Sequence, residues 1–300
     1  MSALGAFLSA ALDRPVCAEI ADAARVIASR LEGQAVLFYG SVLRTGDLDG
    51  VLDFYVLRAR EGSEGFIAQH LWPDVSYHEV TVHGRTVRAK VATMTLATFA
   101  RAACGETLDT TIWARFVQPS ALIWASTPAV RRAVVAAVAD AAITAGRFAA
   151  LHGPVEGTPA SFWRSLFRAT YATELRVEAP GREEQILANA PAHYDALLPL
   201  AWAADGIGCT RRGDQLAPLL AEERAGAIAA AWLRHERAGK PLNLARLVKA
   251  AFTFDGATRY AVWKIERHTG LRIPVTPFRE RHPIIAAPQV LWRLWRHSPS

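Results

Sequence analysis

The residues best suited to chemistry lie in one short stretch, residues 35–58, which reads AVLFYGSVLRTGDLDGVLDFYVLR. An apolar run from Ala35 to Tyr39 breaks at Gly40-Ser41, and a second run from Val51 to Leu57 carries one carboxylate, Asp53. Two such runs bounded by turn residues read as neighbouring buried strands. A carboxylate inside such a strand is costly to bury unless it meets something positive. Gly40 lets a backbone approach a ligand closely, and Ser41 adds a hydroxyl beside free N–H groups. A Gly-Ser turn for phosphates and a strand carboxylate for Mg²⁺ are the parts of a nucleoside triphosphate site. A hairpin with an edge Asp would share the same local sequence.

Mg²⁺ takes one or two protein carboxylates and completes its shell with phosphates and water. Asp53 is the first expected ligand, and Val51 occupies the position two residues earlier where a second acid would be convenient. The second ligand then comes from Asp49 or Asp47 in the loop, or from Glu79 further on. Turn chemistry competes for the loop pair, and a solvated strand face competes for Glu79. Lys90 interrupts the apolar run TVRAKVATM. It can neutralise phosphate as a compact point charge, or lie on an outward strand face. Arg44 can reach a triphosphate from the turn, and His78 reads as a neighbour of the site rather than a base. A phosphate monoester nucleophile is already anionic near neutral pH and needs no protein base. No GxSxG and no Walker P-loop occur, so serine hydrolase and P-loop kinase readings lack their motif.

The elements that must position these groups follow from periodicity. Residues 17–33 predict a helix closed by Gly33, and Gly62 to Trp72 a short helix ended by Pro73. Val75–Val82 and Thr86–Met94 alternate as strands about a His83-Gly84 turn. Asp53 and Glu79 are then expected on adjacent strands, facing the same way. Helices are expected over Leu96–Ala103 and Pro128–Leu151, while Ile112–Trp124, with Pro119 inside, is hard to type. The stretch HGPVEGTP, 152–159, is the best candidate boundary. Beyond it the pattern is helical: Ala160–Val177, Arg182–Ala190, Leu216–Ala238, Leu242–Phe254 and Tyr260–His268. The expected class is α+β: a mixed sheet with flanking helices in residues 1–151, then a mostly helical domain in 160–300.

The chain has 300 residues, 51% of them hydrophobic, enough for a sizeable core. A net charge of +6 and a pI near 9.5 suit an anionic partner: nucleic acid, nucleotide or acidic membrane. Cys17, Cys104 and Cys209 form neither a metal spacing nor a disulfide framework, which suggests a reducing compartment. No basic segment precedes the apolar start, and no run of about 18 uncharged apolar residues occurs. The expectation is a protein that can sit on a membrane without crossing it.

With these residues laid out, the sequence resembles the mitochondrial-type phosphatidate cytidylyltransferases, peripheral CDP-diacylglycerol synthases of the nucleotidyltransferase superfamily. Phe38-Tyr39-Gly40-Ser41 is similar to that family's Tyr-Gly-Ser, and Val51-Leu52-Asp53-Phe54 to its apolar-apolar-Asp-Phe strand. Arg88-Ala89-Lys90-Val91 sits where the family has a strand Lys. WARFVQP, 113–119, resembles its Gly-Arg-Leu-x-Lys-Pro segment, and FRATYATELRVE, 167–178, its Ser/Thr-Tyr-x-x-Asp/Glu-x-Arg helix. Residues 249–264, KAAFTFDGATRYAVWK, are similar to the C-terminal Lys-Gly-x-x-Thr-x-Gly…Arg-Tyr…Lys region. The chain departs at Val42, where the family usually has Gly, and at Val91-Ala92, where Tyr-Gly commonly follows the Lys. These departures bear on nucleobase preference and loop geometry.

The resemblance implies a nucleotidyltransferase domain followed by a winged-helix-like helical one, with Mg²⁺ as cofactor and CTP as cosubstrate. Phosphatidate would attack the CTP α-phosphorus, giving CDP-diacylglycerol and pyrophosphate. Gly40, Ser41 and Arg44 would bind nucleotide, with Asp53 and Lys90 catalytic. Lys249, Arg259 and Lys264 form a basic C-terminal set suited to a lipid phosphate. The tail PQVLWRLWRHSPS suits an anionic membrane interface, or could pack its two Trp on the body. A bacterial cytoplasm with an inner-membrane surface is the expected location. A nucleotidyltransferase acting on RNA, protein or a small molecule is one alternative, and a non-catalytic relative of that fold is another. No RNP-like aromatic motif or zinc knuckle supports nucleic acid.

Overall fold

A computed structural model describes residues 2–59, 71–174, 181–269 and 276. The helix expected at 62–72 falls almost wholly on 60–70, and the tail on 277–300; both lie outside the described residues.

The protein is mixed α/β, with a five-stranded mixed sheet and eleven helices among the described residues. Helices α1 (Ala3–Leu12) and α2 (Ala18–Arg30) lead into strand β1 (Gly33–Tyr39). The α2 helix ends one turn before Gly33. Leu31 is its C-cap, Glu32 takes the left-handed conformation (φ 52°), and Gly33 already opens β1. A one-turn helix, α3 (Ser41–Thr45), and a loop connect β1 to β2 (Val51–Arg58). Strands β3 (Asp74–Val82) and β4 (Arg85–Thr95) form the expected hairpin. Its His83-Gly84 turn has φ 51° and 74°, the twist that joins antiparallel strands most tightly. Helices α4 (Leu96–Ala103) and α5 (Thr111–Phe116) then precede the edge strand β5 (Ala121–Ala125), which occupies the untyped segment around Pro119.

The strand order is β3-β4-β2-β1-β5, with β2 and β4 parallel and the other pairs antiparallel. This corrects the expectation that Asp53 and Glu79 lie on adjacent strands, because β4 lies between them. A parallel pair needs a long crossover, and the hairpin's first strand supplies it by passing to the outer edge. Odd positions of β1, β2 and β3 and even positions of β4 point to one face; the opposite face packs on α2.

The first face is covered by helices. Thr-Pro pairs open two of them: Thr127 accepts from the Val130 N–H at 3.1 Å, and Thr158 from Ser161. Each has Pro at the first helical position, where its missing donor costs nothing. These are α6 (Pro128–His152) and α7 (Pro159–Thr173), followed by α8 (Arg182–Ala188) and α9 (Pro191–Ala204). The α6 helix is long and apolar enough to cross a membrane, but most of its apolar stretch is buried inside the protein. It is the central core helix, touching α1, α4, α5, α7 and α9. One buried cluster runs from Leu4 through α6 to Trp232, so packing is continuous across 152–159.

The C-terminal part is mostly helical, as expected, with one exception. A hairpin, β6 (Gly208–Arg212) and β7 (Gln215–Leu219), takes up Leu216, where the sequence pattern predicts the start of a helix. A single helix, α10 (Glu222–Thr253), runs through Pro241 where two were expected. The last described helix is α11 (Ala257–Thr269).

Candidate functional site

A cavity of about 520 Å³ opens between the first face of the sheet and helices α5, α7, α8, α9 and α10. Gly40, Ser41, Arg44, Asp53 and Lys90 all line it. The register explains why. Asp53 lies opposite Tyr39 on β1 and opposite Lys90 on β4, so the three side chains emerge on one face in one row. Gly40 follows Tyr39 with φ 91°, and a β-carbon added there would overlap Asp53 Oδ2. The bend and the carboxylate are therefore in direct apposition.

Burial raises the Asp53 pKa above the usual carboxylate range, and Lys90, Arg115 and Arg44 pull it back in part. Arg115, from α5, stacks on the Tyr39 ring at 4.7 Å and reaches Tyr55 at 6.0 Å. Burial opposes its charge, but Tyr39, Tyr55, Asp53 and Glu174 outweigh that and hold the guanidinium ionised. Its Nε is buried without a hydrogen-bond partner. Glu174, just past α7, is buried against the hydroxyls of Thr110 and Thr111 and also lines the cavity. Arg246, from α10, stacks on Trp72 at 4.7 Å and pairs with the buried Asp109.

Among the described residues, six cationic side chains line the cavity (Arg14, Arg44, Lys90, Arg115, Arg182 and Arg246) against two carboxylates, Asp53 and Glu174. A wall of this balance, half enclosed in protein, attracts a polyanion far more strongly than the same charges in water.

The remaining expected residues lie elsewhere. Glu79 faces the same way as Asp53 but two strands away, where it accepts from the Tyr77 hydroxyl at 3.1 Å and sits 3.6 Å from Arg88 Nε. Asp49 is exposed. Its N–H donates to Asp47 Oδ1 at 2.9 Å and its carboxylate pairs with Arg85 at 2.5 Å, so both loop acids perform turn chemistry. Lys249 donates to the Leu71 carbonyl at 2.7 Å and to Asp74 at 2.5 Å, clamping α10 to the start of β3. Arg259 is exposed on α11 outside the cavity wall, and the Lys264 side chain lies outside the described residues. Among the described residues no group of three or more His, Cys, Asp or Glu side chains converges.

Sequence reasoning did not single out Arg115, Arg182, Tyr194 or Arg246 as site residues. Arg115 and Glu174 do lie in 113–119 and 167–178, two of the segments set beside cytidylyltransferase motifs above. No family model matches the chain, and no curated protein matches it.

Proposed function

We propose that the protein is a Mg²⁺-dependent nucleotidyltransferase that transfers CMP from CTP to phosphatidate. The observation that carries this reading is the apposition of Asp53 to the Gly40-Ser41 bend inside a strongly cationic cavity. The donor set fits the cation: Asp53 offers one carboxylate, within the one or two that Mg²⁺ takes from protein when phosphates share its shell. When bound, Mg²⁺ supplies neutralisation of the triphosphate charge.

The chain's own residues then do the rest. The absence of a β-carbon at Gly40 lets a phosphate approach the backbone next to Asp53. Lys90, beside Asp53 in the strand register, offsets charge on the α-phosphate. Arg115, held rigid by the Tyr39 and Tyr55 rings, offers a fixed cation that needs no reorganisation during transfer. An acceptor phosphate oxygen attacks the α-phosphorus, the bond to the β-phosphate oxygen breaks, and pyrophosphate leaves. No proton must move if the acceptor is already a phosphate dianion.

Lipid as acceptor is supported by the outer face of α10. Leu233, Leu244, Leu247 and Val248 are exposed there, beside exposed Arg234, Arg237 and Lys240. Apolar side chains flanked by cations on one helix suit the interface of an anionic bilayer. The location that follows is the inner face of a bacterial cell membrane.

The test is purified protein with Mg²⁺, labelled CTP or ATP, and micelles containing phosphatidate. Label entering lipid from CTP alone supports the proposal. ATP label passing to RNA or protein would indicate a different acceptor class, and no transfer from either nucleotide would indicate a non-catalytic relative of the fold.

A further inference from the structure

One stretch of α10 presents two different sides. Leu244, Leu247 and Val248 are exposed, whereas Asn243 and Arg246, three residues apart on one helix face, both line the cavity. Contacts pin this stretch over the start of β3. The Arg246 guanidinium stacks on the Trp72 ring at 4.7 Å. Lys249, three residues on, donates to the Leu71 carbonyl at 2.7 Å and to Asp74 at 2.5 Å. The neighbouring sheet surface is the row Tyr55, Ala92 and Val75, set side by side by the register of β2, β4 and β3. All three line the cavity, as does Pro73. This row carries no charge and crosses two strand spacings, about 10 Å. It lies two residues along the strands from the row of Asp53 and Lys90, about 7 Å away.

Two arginines of the cavity differ in what they offer. Arg115 stacks on neutral rings and presents its charge, whereas the charge of Arg246 is matched by the buried Asp109. Asp109 is itself fixed by the Thr111 N–H at 2.7 Å. What Arg246 keeps is directed N–H donors: Asp109 takes Nη1, and the Nε is buried without a partner. A buried donor left unpaired costs about 1–3 kcal/mol. Asn243 adds an amide, which both donates and accepts, and among the described residues nothing bonds to it. A flat, uncharged ring with a polar edge suits such a slot better than a phosphate does.

We propose that Asn243 and Arg246 read a nucleobase lying on the row of Tyr55, Ala92 and Val75, and that this base is a pyrimidine with an exocyclic amine. Such a ring, cytosine, turns two acceptors, O2 and N3, beside an amine donor. Arg246 donates to the acceptors, and the Asn243 carbonyl takes the amine. Uracil carries a proton on N3, and an arginine has no acceptor to meet it. A ribose bridges the step from this row to an α-phosphate at Asp53. As a ring site the slot stands on the contacts above. Its assignment to the base of CTP rests on the transfer reaction proposed above.

The experiment is calorimetric titration of the full chain with Mg²⁺ and no acceptor, using CTP, UTP, ATP and inorganic tripolyphosphate as probes. The parent should bind CTP about tenfold or more tighter than UTP. Asn243→Ala should fold normally, because the site is a half-exposed helical position that Ala favours. It should lose most of the preference for CTP and keep its affinity for tripolyphosphate. Arg246→Lys retains a cation for Asp109 but not the fork, and should behave in the same way. A parent that does not favour CTP over UTP overturns the proposal, and so does an unchanged CTP-to-UTP ratio in both variants. An equal loss of tripolyphosphate would show that these side chains hold phosphate, which also overturns it. Loss of ATP binding in place of CTP binding overturns the pyrimidine assignment. The ratio is read without turnover, so a failed lipid-transfer assay would refute the proposed reaction and leave this measurement standing.

Discussion

The Asp53 carboxylate fills the space that a β-carbon at Gly40 would need, and Gly40 holds a backbone conformation (φ 91°) that side chains rarely adopt. The two residues are locked together by the β1–β2 register, which sets Asp53 opposite Tyr39. Any residue larger than glycine at position 40 must both strain the backbone and displace the carboxylate.

Gly40→Ala should therefore lower stability by about 1–3 kcal/mol and abolish Mg²⁺-dependent CTP binding. Thermal melts and nucleotide titration check both parts. Undiminished CTP binding in this variant would show that the close approach of bend and carboxylate is not used.

Asp53→Asn should melt higher than the parent in the absence of ligand, with turnover lost. Burial raises the folded-state pKa of Asp53 above its unfolded value near 3.8. The protonated form is thus favoured in the fold, and that contribution is complete below about pH 3.8 and lost as pH rises through the higher folded value. At neutral pH the parent keeps a half-buried carboxylate at a cost, which the amide removes. Each kcal/mol relieved raises the melting temperature by about 2–4 °C in a chain of this size. Mg²⁺ with CTP should stabilise the parent and not the variant. Equal metal-dependent stabilisation of both proteins would remove Asp53 from the ligand set.

What the sequence made legible was local. Gly40-Ser41, the apolar run around Asp53, and the His83-Gly84 hairpin are short-range signals, and each element formed near its expected place. Lys90 could be suspected because a cation interrupts an apolar strand. Its position beside Asp53 depended on β4 inserting parallel to β2, and strand order is not written in periodicity. Glu79 shows the converse. Its facing was foreseeable, but one intervening strand moved it out of reach of Asp53. Arg115, Arg182, Tyr194 and Arg246 arrive from helices whose own patterns record only which side is buried. Leu216 read as helical because a five-residue edge strand carries too few alternations to outweigh its neighbours.

Lys249 separates a structural cation from a substrate-binding one. It sits between α10 and β3, with 10% of its side chain exposed, held by Asp74 and the Leu71 carbonyl. Lys249→Met should lower stability by about 1–2 kcal/mol, discounted because Asp74 is itself 45% exposed. KM for the lipid acceptor should stay within about twofold, since no substrate bond is lost. A large rise in that KM at unchanged melting temperature would return Lys249 to the lipid-phosphate role.

The outer face of α10 gives the sharpest test of where the protein works. Leu244, Leu247 and Val248 are 56%, 61% and 53% exposed, one to four residues apart, so they form one apolar patch on the helix. Burying such side chains in a bilayer interface gains about 25 cal/mol per Å² of apolar surface, while an acidic residue there is repelled by anionic lipid. Leu244→Asp with Leu247→Asp should keep the melting temperature, because neither side chain is in the core. The pair should reduce sedimentation with phosphatidylglycerol vesicles about tenfold or more, while transfer to a short-chain, water-soluble phosphatidate continues at the parent rate. Arg237→Gln with Lys240→Gln should reduce sedimentation less, and only at low salt, because exposed charges are screened beyond about 10 Å at 0.1 M. Unchanged sedimentation of the aspartate pair would exclude this face as the membrane contact, and a fall in soluble-substrate turnover would instead place it in the path to the active cavity.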